Sequence, residues 1–467
     1  MTRMKSFTRI AAAVVAVLIA VPVFAARGSA DFTRFVAIGD SYGAGVSNAS
    51  LNERHQIYSW PAIIARQAGA PVFVQPLVSY PGIGPEMVLV DVVSFPPVLS
   101  VAAGQGQPIN STYAAPYNNL SIPGAAVQHI TTLTGAEQNP QGTAAQTARF
   151  ILRGLGTPVQ QAIALNPTFI AIWIGGNDLL GAVLAGNPAA LTPVDTFRTA
   201  YNAMLDQLVA GAPNAGMVVG NLPNNPSALP LLTTAQPVII NPATRQPLLV
   251  NGQPVFLIAD PGDGNIRQLQ PGERVLLTAA AKIAQGFGIP PQLAQMPPFN
   301  QLPNAGRPLA ASDVLTITEQ QQIQAFANSY NEIIQQAAAR HDIPVADING
   351  LFNRFAAPGG YHLGPFVLNS SYIAGGIFSF DGFHLTDIGY MLFANEYIRT
   401  INEAYDTEIP VASLAKLFFA NNYPEATTTS GAPLIEGMEW RMSEEAAAAI
   451  MQYATPAKAK RFRSVAH

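Results

Sequence analysis

Thr168-Phe169-Ile170-Ala171-Ile172-Trp173-Ile174 is a continuous apolar run that two glycines follow at once. Such a run is typical of a central strand in a parallel sheet, because both faces of that strand are covered. A shorter apolar run, Arg34–Ile38, is followed by Gly39 and predicts a buried first strand. Three further runs predict strands at Val72–Val74, Met217–Gly220 and Ile343–Ile348.

Helical patterns lie between these strands. They predict helices from Ser59 to about Ala68, from Thr192 to about Ala210, from Thr316 onward and from about Ile388 to Tyr405. The start at Thr316-Ile317-Thr318-Glu319 is a capping box, in which two side chains satisfy free backbone N–H groups. Strands that alternate with helices predict a mostly parallel, three-layer α/β domain.

Two long segments rich in Pro and Gly interrupt this alternation, at about Gln75–Pro116 and about Leu222–Leu315. Both leave after a predicted strand, at the edge where open α/β sheets bind ligands. They carry few charges and must bury their apolar side chains somewhere. We therefore expect cap-like inserts that form an apolar wall at the mouth of the site. Packing on a remote face of the domain is the alternative.

The composition excludes several classes of function. Of 467 residues, 49% are hydrophobic and 11% charged, which is typical of a folded protein with a large core. The net charge of −4 gives no basic face for nucleic acid. Without cysteine, the chain has no disulfides, thiolate metal sites or cysteine nucleophile. A Thr-rich stretch, Thr427–Ser430, predicts a linker, so we assign residues 424–467 to a linker and C-terminal tail.

The N-terminus has the pattern of a signal peptide. Arg3, Lys5 and Arg9 precede an apolar run, Ile10–Val21, and Val23-Phe24-Ala25 offers small residues for cleavage. The run is shorter than the roughly 20 residues that a membrane span needs. We therefore expect residues 1–25 to be removed, a secreted or periplasmic bacterial protein, and no stable membrane span. A retained membrane anchor is the alternative.

The first chemical block is Gly39-Asp40-Ser41-Tyr42-Gly43-Ala44-Gly45, directly after the first predicted strand. A serine at this position is exposed at the head of the next helix, and its backbone N–H can face a developing oxyanion. The block also fits the Gly-x-Ser-x-Gly pattern of α/β-hydrolases. That fold needs a strand and an oxyanion loop before its serine, and the mature chain before Ser41 is too short for them. A helix cap in a Gly-rich turn is the alternative.

The second block is Phe380-Asp381-Gly382-Phe383-His384-Leu385, in a loop before the last predicted helix. A general base needs a partner that fixes its tautomer and stabilises its charged form. A carboxylate three residues before a histidine can reach the ring across a glycine turn, and His384 alone has that arrangement. The remaining histidines are predicted to be surface or packed residues: His55, His129, His341, His362 and His467.

Two further turns are weaker signals. Ile174-Gly175-Gly176-Asn177-Asp178 ends the best strand, and its glycines and amide indicate a polar group that faces a ligand. A turn in which Asn177 caps a helix is the alternative. Asn119-Leu120-Ser121-Ile122-Pro123-Gly124-Ala125 offers a backbone N–H at Gly124, although Pro-Gly turns are common.

Together, and in this order, the four blocks resemble those of the SGNH (GDSL) hydrolase superfamily. The resemblance implies that Ser41 is the nucleophile, His384 the base and Asp381 the group that orients the base. It implies an oxyanion hole formed by Ser41, Gly124 and Asn177. It also implies a flavodoxin-like α/β/α sandwich with five parallel strands, over residues 31–410, and the strand count above agrees. Tyr42 stands where the family often has Leu, and the inserts exceed the minimal family domain, so the substrate does not carry over.

The implied reaction is hydrolysis of a carboxylic ester through an acyl-enzyme, with no metal and no cofactor. The apolar inserts favour small-molecule or lipid-like acyl esters as substrates. Two alternatives remain. One is a polysaccharide O-acetyl esterase, for which Tyr80, Tyr113 and Tyr117 are the aromatic cluster that we find. The other is a binding protein that kept the fold and lost catalysis.

Overall fold

The computed structural model describes residues 26–414 apart from 85, 92–97, 186, 231–236, 242–243, 245 and 263. The predicted signal peptide, residues 1–25, and the predicted tail, residues 424–467, lie outside the described residues. Within them the strands β1 to β14 are Phe35–Gly39, Met87–Asp91, Val98–Val101, Phe169–Trp173, Gly216–Gly220, Leu249–Val250, Gln253–Pro254, Ile258–Ala259, Arg267–Gln268, Arg274–Val275, Val314–Leu315, Val345–Ala346, Tyr361–Leu363 and Phe366–Leu368. The helices α1 to α12 are Ser41–Ala44, Glu53–Gln56, Trp60–Gln67, Gly142–Leu152, Pro158–Ala164, Gly176–Ala185, Val194–Gly211, Ala280–Ala284, Pro291–Ala294, Ile317–Ala339, Ile348–Ala356 and Asp387–Tyr405.

A parallel sheet with the strand order β1-β4-β5-β12 forms the centre of the molecule. Every residue of β1, β4 and β5 is buried, as their unbroken apolar runs predict. Helices surround the sheet, with α3 packed on α12 and α7 packed on α10. The predicted α/β class is therefore confirmed, and parallel pairing brings the carboxyl ends of β1 and β4 side by side, with Gly39 opposite Trp173.

The predicted number of strands is wrong, since this sheet has four strands and not five. Val72–Val74 forms no strand. Instead, the residues around Asn119 run beside β1, where Leu120 N–H donates to the Ala37 carbonyl at 2.8 Å and the chain makes one parallel bridge. The carbonyl of Val74 accepts the N–H of Asn118 at 2.8 Å on the far side. A three-residue apolar run is too short to compete for the edge of the sheet.

The long predicted helices are present as α3, α7, α10 and α12. The capping box is present too: Thr316 Oγ1 accepts the Glu319 N–H at 3.2 Å, and the Glu319 carboxylate accepts the Thr316 N–H at 2.7 Å. Two predicted starts differ in detail. The Ser59 side chain does not cap α3, because its hydroxyl donates to Gln75 at 3.0 Å. The N-cap residue of α7 is Pro193 and not Thr192. None of the described helices combines the length and apolarity of a membrane span.

The second insert builds a hydrophobic core of its own. Side chains from its short strands and turns pack together there, among them Ile239, Leu257, Leu269, Val275 and Leu309. Its first residues differ, since Leu222 and Ala228 are buried in the main core beside the sheet. Apolar side chains of this insert are therefore buried in two places, in the insert itself and against the domain that carries the four blocks.

Candidate active site

Ser41 is the first residue of α1, immediately after β1 and Asp40. The Asp40 carboxylate caps this short helix by accepting the Tyr42 N–H at 3.0 Å. Gly43 is required by packing, because a Cβ there would lie 2.2 Å from the Ser121 hydroxyl oxygen. The tight contact between the Ser41 turn and the Ser121 segment keeps the serine at the carboxyl end of the sheet.

Asp381 and His384 form one compact loop before α12. His384 Nδ1 lies 2.7 Å from Asp381 Oδ2, while Asp381 Oδ1 accepts the backbone N–H groups of Phe383 at 2.9 Å and His384 at 2.8 Å. An ionised carboxylate only accepts hydrogen bonds, so Nδ1 carries the proton and Nε2 presents its lone pair. His384 Nε2 is buried and has no hydrogen-bond partner within the described residues. This is the tautomer that a general base needs.

The electrostatics of this loop keep Asp381 charged. Burial raises the pKa of its carboxyl group, but the charge and hydrogen bond of His384 and the two backbone N–H groups outweigh burial. The pKa of Asp381 therefore lies well below its ordinary value. Asp381 is therefore ionised at neutral pH, where it stabilises a positive charge on the imidazole.

Tyr42 connects the serine block to the histidine block. Its hydroxyl donates to the Phe383 carbonyl at 2.6 Å, and its ring centroid lies 5.8 Å from that of His384. Leucine, which the related family often has at this position, has no hydroxyl for that hydrogen bond. The residue after Ser41 therefore lies against the predicted base, although 341 residues separate Tyr42 from Phe383.

Asn177 and Gly124 meet at the same edge of the sheet. Asn177 Nδ2 donates to the Ala125 carbonyl at 3.0 Å and approaches Asp40 Oδ2 at 3.4 Å. Gly124 has a φ of +82°, which favours glycine, and a Cβ there would lie 3.0 Å from the backbone nitrogen of Ala144. The structure thus brings together the blocks of Ser41, Gly124, Asn177 and His384.

Two buried acids beneath these blocks are features that the sequence analysis did not identify. Burial raises the pKa of Asp40 to about 8 and that of Asp178 to about 6, and the Asp178 charge adds to the shift of Asp40. Asp178 also accepts the Val127 N–H at 3.0 Å and so holds the segment after Gly124. Asp40 is next to Ser41 and Asp178 is next to Asn177 in the sequence. Their spacing along the chain does not indicate that the two acids are buried in the same region.

His55 is a packed residue with two carboxylate partners that the sequence did not indicate. Its Nδ1 lies 2.9 Å from Asp387 and its Nε2 lies 3.2 Å from Glu86. Sequence spacing carries no signal for this arrangement, because the two carboxylates lie 332 and 31 residues away along the chain.

Comparison with known proteins identifies one family. The model of the family described as GDSL-like Lipase/Acylhydrolase matches residues 35–397. No curated protein matches this chain. Similar solved structures include a phospholipase A1 from Streptomyces albidoflavus NA297, with 13% identity over 81% of this chain and 100% of that chain and a TM-score of 0.32. A family 3 carbohydrate esterase from Clostridium thermocellum has 14% identity, 80% and 96% coverage and a TM-score of 0.31.

Proposed function

The chain belongs to the family of GDSL-like lipases and acylhydrolases, and from that premise we propose that it hydrolyses carboxylic esters with apolar acyl groups, using Ser41 as nucleophile. His384 Nε2 takes the proton of Ser41 Oγ while Oγ bonds to the ester carbonyl carbon. The N–H groups of Ser41 and Gly124 and the Asn177 amide stabilise the oxyanion. His384 then protonates the leaving alkoxide, and a water molecule releases the carboxylic acid from the acyl-enzyme.

The observation that carries this proposal is an apolar cavity beside the four blocks. It opens to solvent, and its surface consists mostly of carbon atoms. Tyr42, Gly176 and Phe383 line it, and these residues are the sequence neighbours of Ser41, Asn177 and His384. An acyl group on Ser41 would therefore have an apolar space next to it.

The walls of the cavity are mainly apolar, although Asn224 and Asn225 also line it. α6, α10 and α11 contribute aliphatic and aromatic side chains, as does the start of the second insert: Leu179, Leu180, Val183, Leu222, Leu229, Ile323, Ala327 and Phe352. The polar atoms of the two large aromatic residues are already bonded, since the Tyr42 hydroxyl donates to Phe383 and Trp173 Nε1 donates to Asn221 at 3.0 Å. Those rings present carbon to the cavity, which suits an alkyl chain better than a sugar.

The proposal is tested with purified protein and nitrophenyl esters of increasing acyl length. We expect kcat/KM to rise from acetate to medium-length chains, since each buried methylene contributes about 0.8 kcal/mol, or about fourfold. A preference for acetylated polysaccharide over all of these esters would favour a polysaccharide esterase. No turnover of any ester and no labelling by a fluorophosphonate would favour a non-catalytic protein and refute the proposal.

Filling the cavity is expected to shorten the preferred acyl chain. Ala327 lines the cavity from α10, so Ala327→Phe places a ring in the space that the chain would use. We expect kcat/KM for long acyl esters to fall about fourfold for each methylene that is excluded, while acetate hydrolysis is nearly unchanged. Ala325→Phe is the matched control, because Ala325 is exposed on the same helix. Equal chain-length profiles in the two variants would show that the acyl group lies elsewhere.

Asn177 is expected to act in the transition state. Its Nδ2 donates to the Ala125 carbonyl at 3.0 Å and, in a long hydrogen bond of 3.4 Å, to Asp40. We expect the N–H of the long, weak bond to turn toward an oxyanion. Asn177→Ala should lower kcat about 10²- to 10³-fold, roughly 3–4 kcal/mol, and change KM little. The comparison is Asn187→Ala, which removes an asparagine that caps the Ala189 N–H at 2.9 Å. Normal kcat with weakened folding in Asn177→Ala would mean that Asn177 is structural.

A further inference from the structure

A buried cluster of three charged groups lies behind the Asp381–His384 loop. His55 Nδ1 is 2.9 Å from Asp387 Oδ1, and His55 Nε2 is 3.2 Å from Glu86 Oε1. Only 15% of the His55 side-chain surface is exposed, and both carboxylates are buried. Because each ring nitrogen faces a carboxylate oxygen, both nitrogens act as donors and the ring carries a positive charge.

The charge state of His55 follows from its surroundings. Burial lowers the pKa of its imidazole, but the charges and hydrogen bonds of Asp387 and Glu86 outweigh burial and raise the pKa to about 10. His55 is therefore a cation at neutral pH. A metal ion does not account for the cluster, because no three His, Asp or Glu side chains in the described ranges are arranged to hold one.

The cluster joins three distant segments of the chain. His55 belongs to α2, Glu86 belongs to the first insert next to β2, and Asp387 begins α12, three residues after His384. Beside Glu86, the Met87 N–H donates to the Asn48 carbonyl at 2.8 Å. The segment that His55 binds through Glu86 therefore also binds the turn that contains Asn48.

This turn runs from Ser47 to Ser50, which exchange two backbone hydrogen bonds of 3.0 and 2.9 Å. Its central residues, Asn48 and Ala49, have φ values of +52° and +62°. A left-handed conformation is unfavourable for alanine, whose Cβ crowds the backbone, and glycine is the usual residue in such a turn. The turn is therefore held in place by contacts outside itself.

The turn contacts the loop that carries the predicted base. The Ala49 N–H donates to Asp381 Oδ2 at 2.8 Å, the same oxygen that His384 Nδ1 contacts. Asn48 makes two more bonds to the loop: its N–H donates to Ser379 Oγ at 2.9 Å, and its Oδ1 accepts the Phe380 N–H at 3.1 Å. The position of Ala49 thus bears directly on the carboxylate that orients His384.

We infer that His55 is a positioning residue for ester hydrolysis. Its ion pairs hold Glu86 and α12 in place, and these hold the strained Asn48–Ala49 turn. The Ala49 N–H then keeps Asp381 oriented toward His384. The inference rests on the proposed function. His55 acts without touching the substrate. Its effect is therefore on kcat and not on the binding of the ester.

The first variant removes the charge. In His55→Gln, the side chain keeps an N–H donor but cannot bind two carboxylates as a cation. We expect kcat to fall about 10- to 100-fold, because a displacement of about 1 Å in a reacting group has effects of that size. KM should stay within about twofold. His341→Gln is the matched control, since His341 Nε2 also contacts a carboxylate, that of Asp206 at 2.7 Å. That variant should keep the wild-type kcat.

The second variant tests whether the turn is the link. Glycine adopts the φ of residue 49 without crowding, so Ala49→Gly makes the turn less dependent on the cluster. Added to His55→Gln, it should raise kcat about fivefold or more, a larger effect than the same change has in the wild type. If His55 only stabilises the fold, Ala49→Gly changes the thermal stability and leaves the kcat of both backgrounds as it was.

Glu86→Gln provides the same test if His55→Gln does not fold, because it breaks the same link and leaves the His55–Asp387 pair. Circular dichroism and thermal unfolding establish that each variant is folded before kcat is compared. If the wild type hydrolyses esters and is labelled at Ser41, a folded His55→Gln or Glu86→Gln variant with kcat within about twofold of the wild type overturns the inference. A wild-type protein that hydrolyses no ester overturns the proposed function and this inference with it.

Discussion

Ser41→Ala is expected to lower kcat for ester hydrolysis about a million-fold, as loss of the nucleophile does in other serine hydrolases. Without Oγ there is no acyl-enzyme, and the oxyanion hole alone leaves a small residual rate. The fold should be unaffected, because the helix cap at this position is Asp40 and not Ser41. Initial rates on the best nitrophenyl ester measure the loss, and thermal unfolding checks the fold.

A fluorophosphonate probe provides the direct check. It should label the wild type at Ser41, located by mass spectrometry of peptides, and should not label Ser41→Ala. Ser329→Ala is a suitable control, since this serine lies on α10 and its hydroxyl donates to Ala325 within the helix. Labelling at another serine, together with an active Ser41→Ala variant, would refute the assignment of the nucleophile.

Asp381→Asn is expected to lower kcat about ten-thousand-fold. The two oxygens of Asp381 accept four N–H groups, those of Ala49, Phe383 and His384 and the ring Nδ1–H of His384. An amide has one oxygen and one NH₂ group. If the NH₂ replaces Oδ1, it faces the backbone N–H groups of Phe383 and His384. If it replaces Oδ2, it faces the Ala49 N–H and donates to His384 Nδ1, which drives the ring into the other tautomer. In that tautomer Nε2 carries the proton and cannot accept the one from Ser41.

The same substitution should also weaken folding, because it removes a buried acceptor, and activity must be compared on folded protein. Asp195→Asn is the control of equal chemistry, since the Asp195 side chain is fully exposed on α7. It should match the wild type in rate and stability. If Asp381→Asn loses stability but keeps kcat, Asp381 would have a structural role and another group would have to orient His384.

The sequence predicted the elements whose signals are contiguous. Phe169–Trp173 lies in an unbroken apolar run, and the capping box at Thr316 uses residues three positions apart, so each can be recognised without its neighbours. The same holds for the hydrogen bond between Asp381 and His384, which a spacing of three residues and one glycine makes possible. The second strand, Val72–Val74, failed because three apolar residues are too weak a signal against the competing segment near Asn119.

By itself, the sequence determined the α/β class, the family and the four blocks, because periodicity, caps and short motifs are local properties of the chain. The tertiary structure alone decided the cavity beside Tyr42, the buried acids Asp40 and Asp178, and the cluster around His55. Each of these depends on side chains that approach one another across tens or hundreds of residues, and their burial sets the charges that they carry. Such approaches follow from how sheet, helices and inserts pack, which no local pattern encodes.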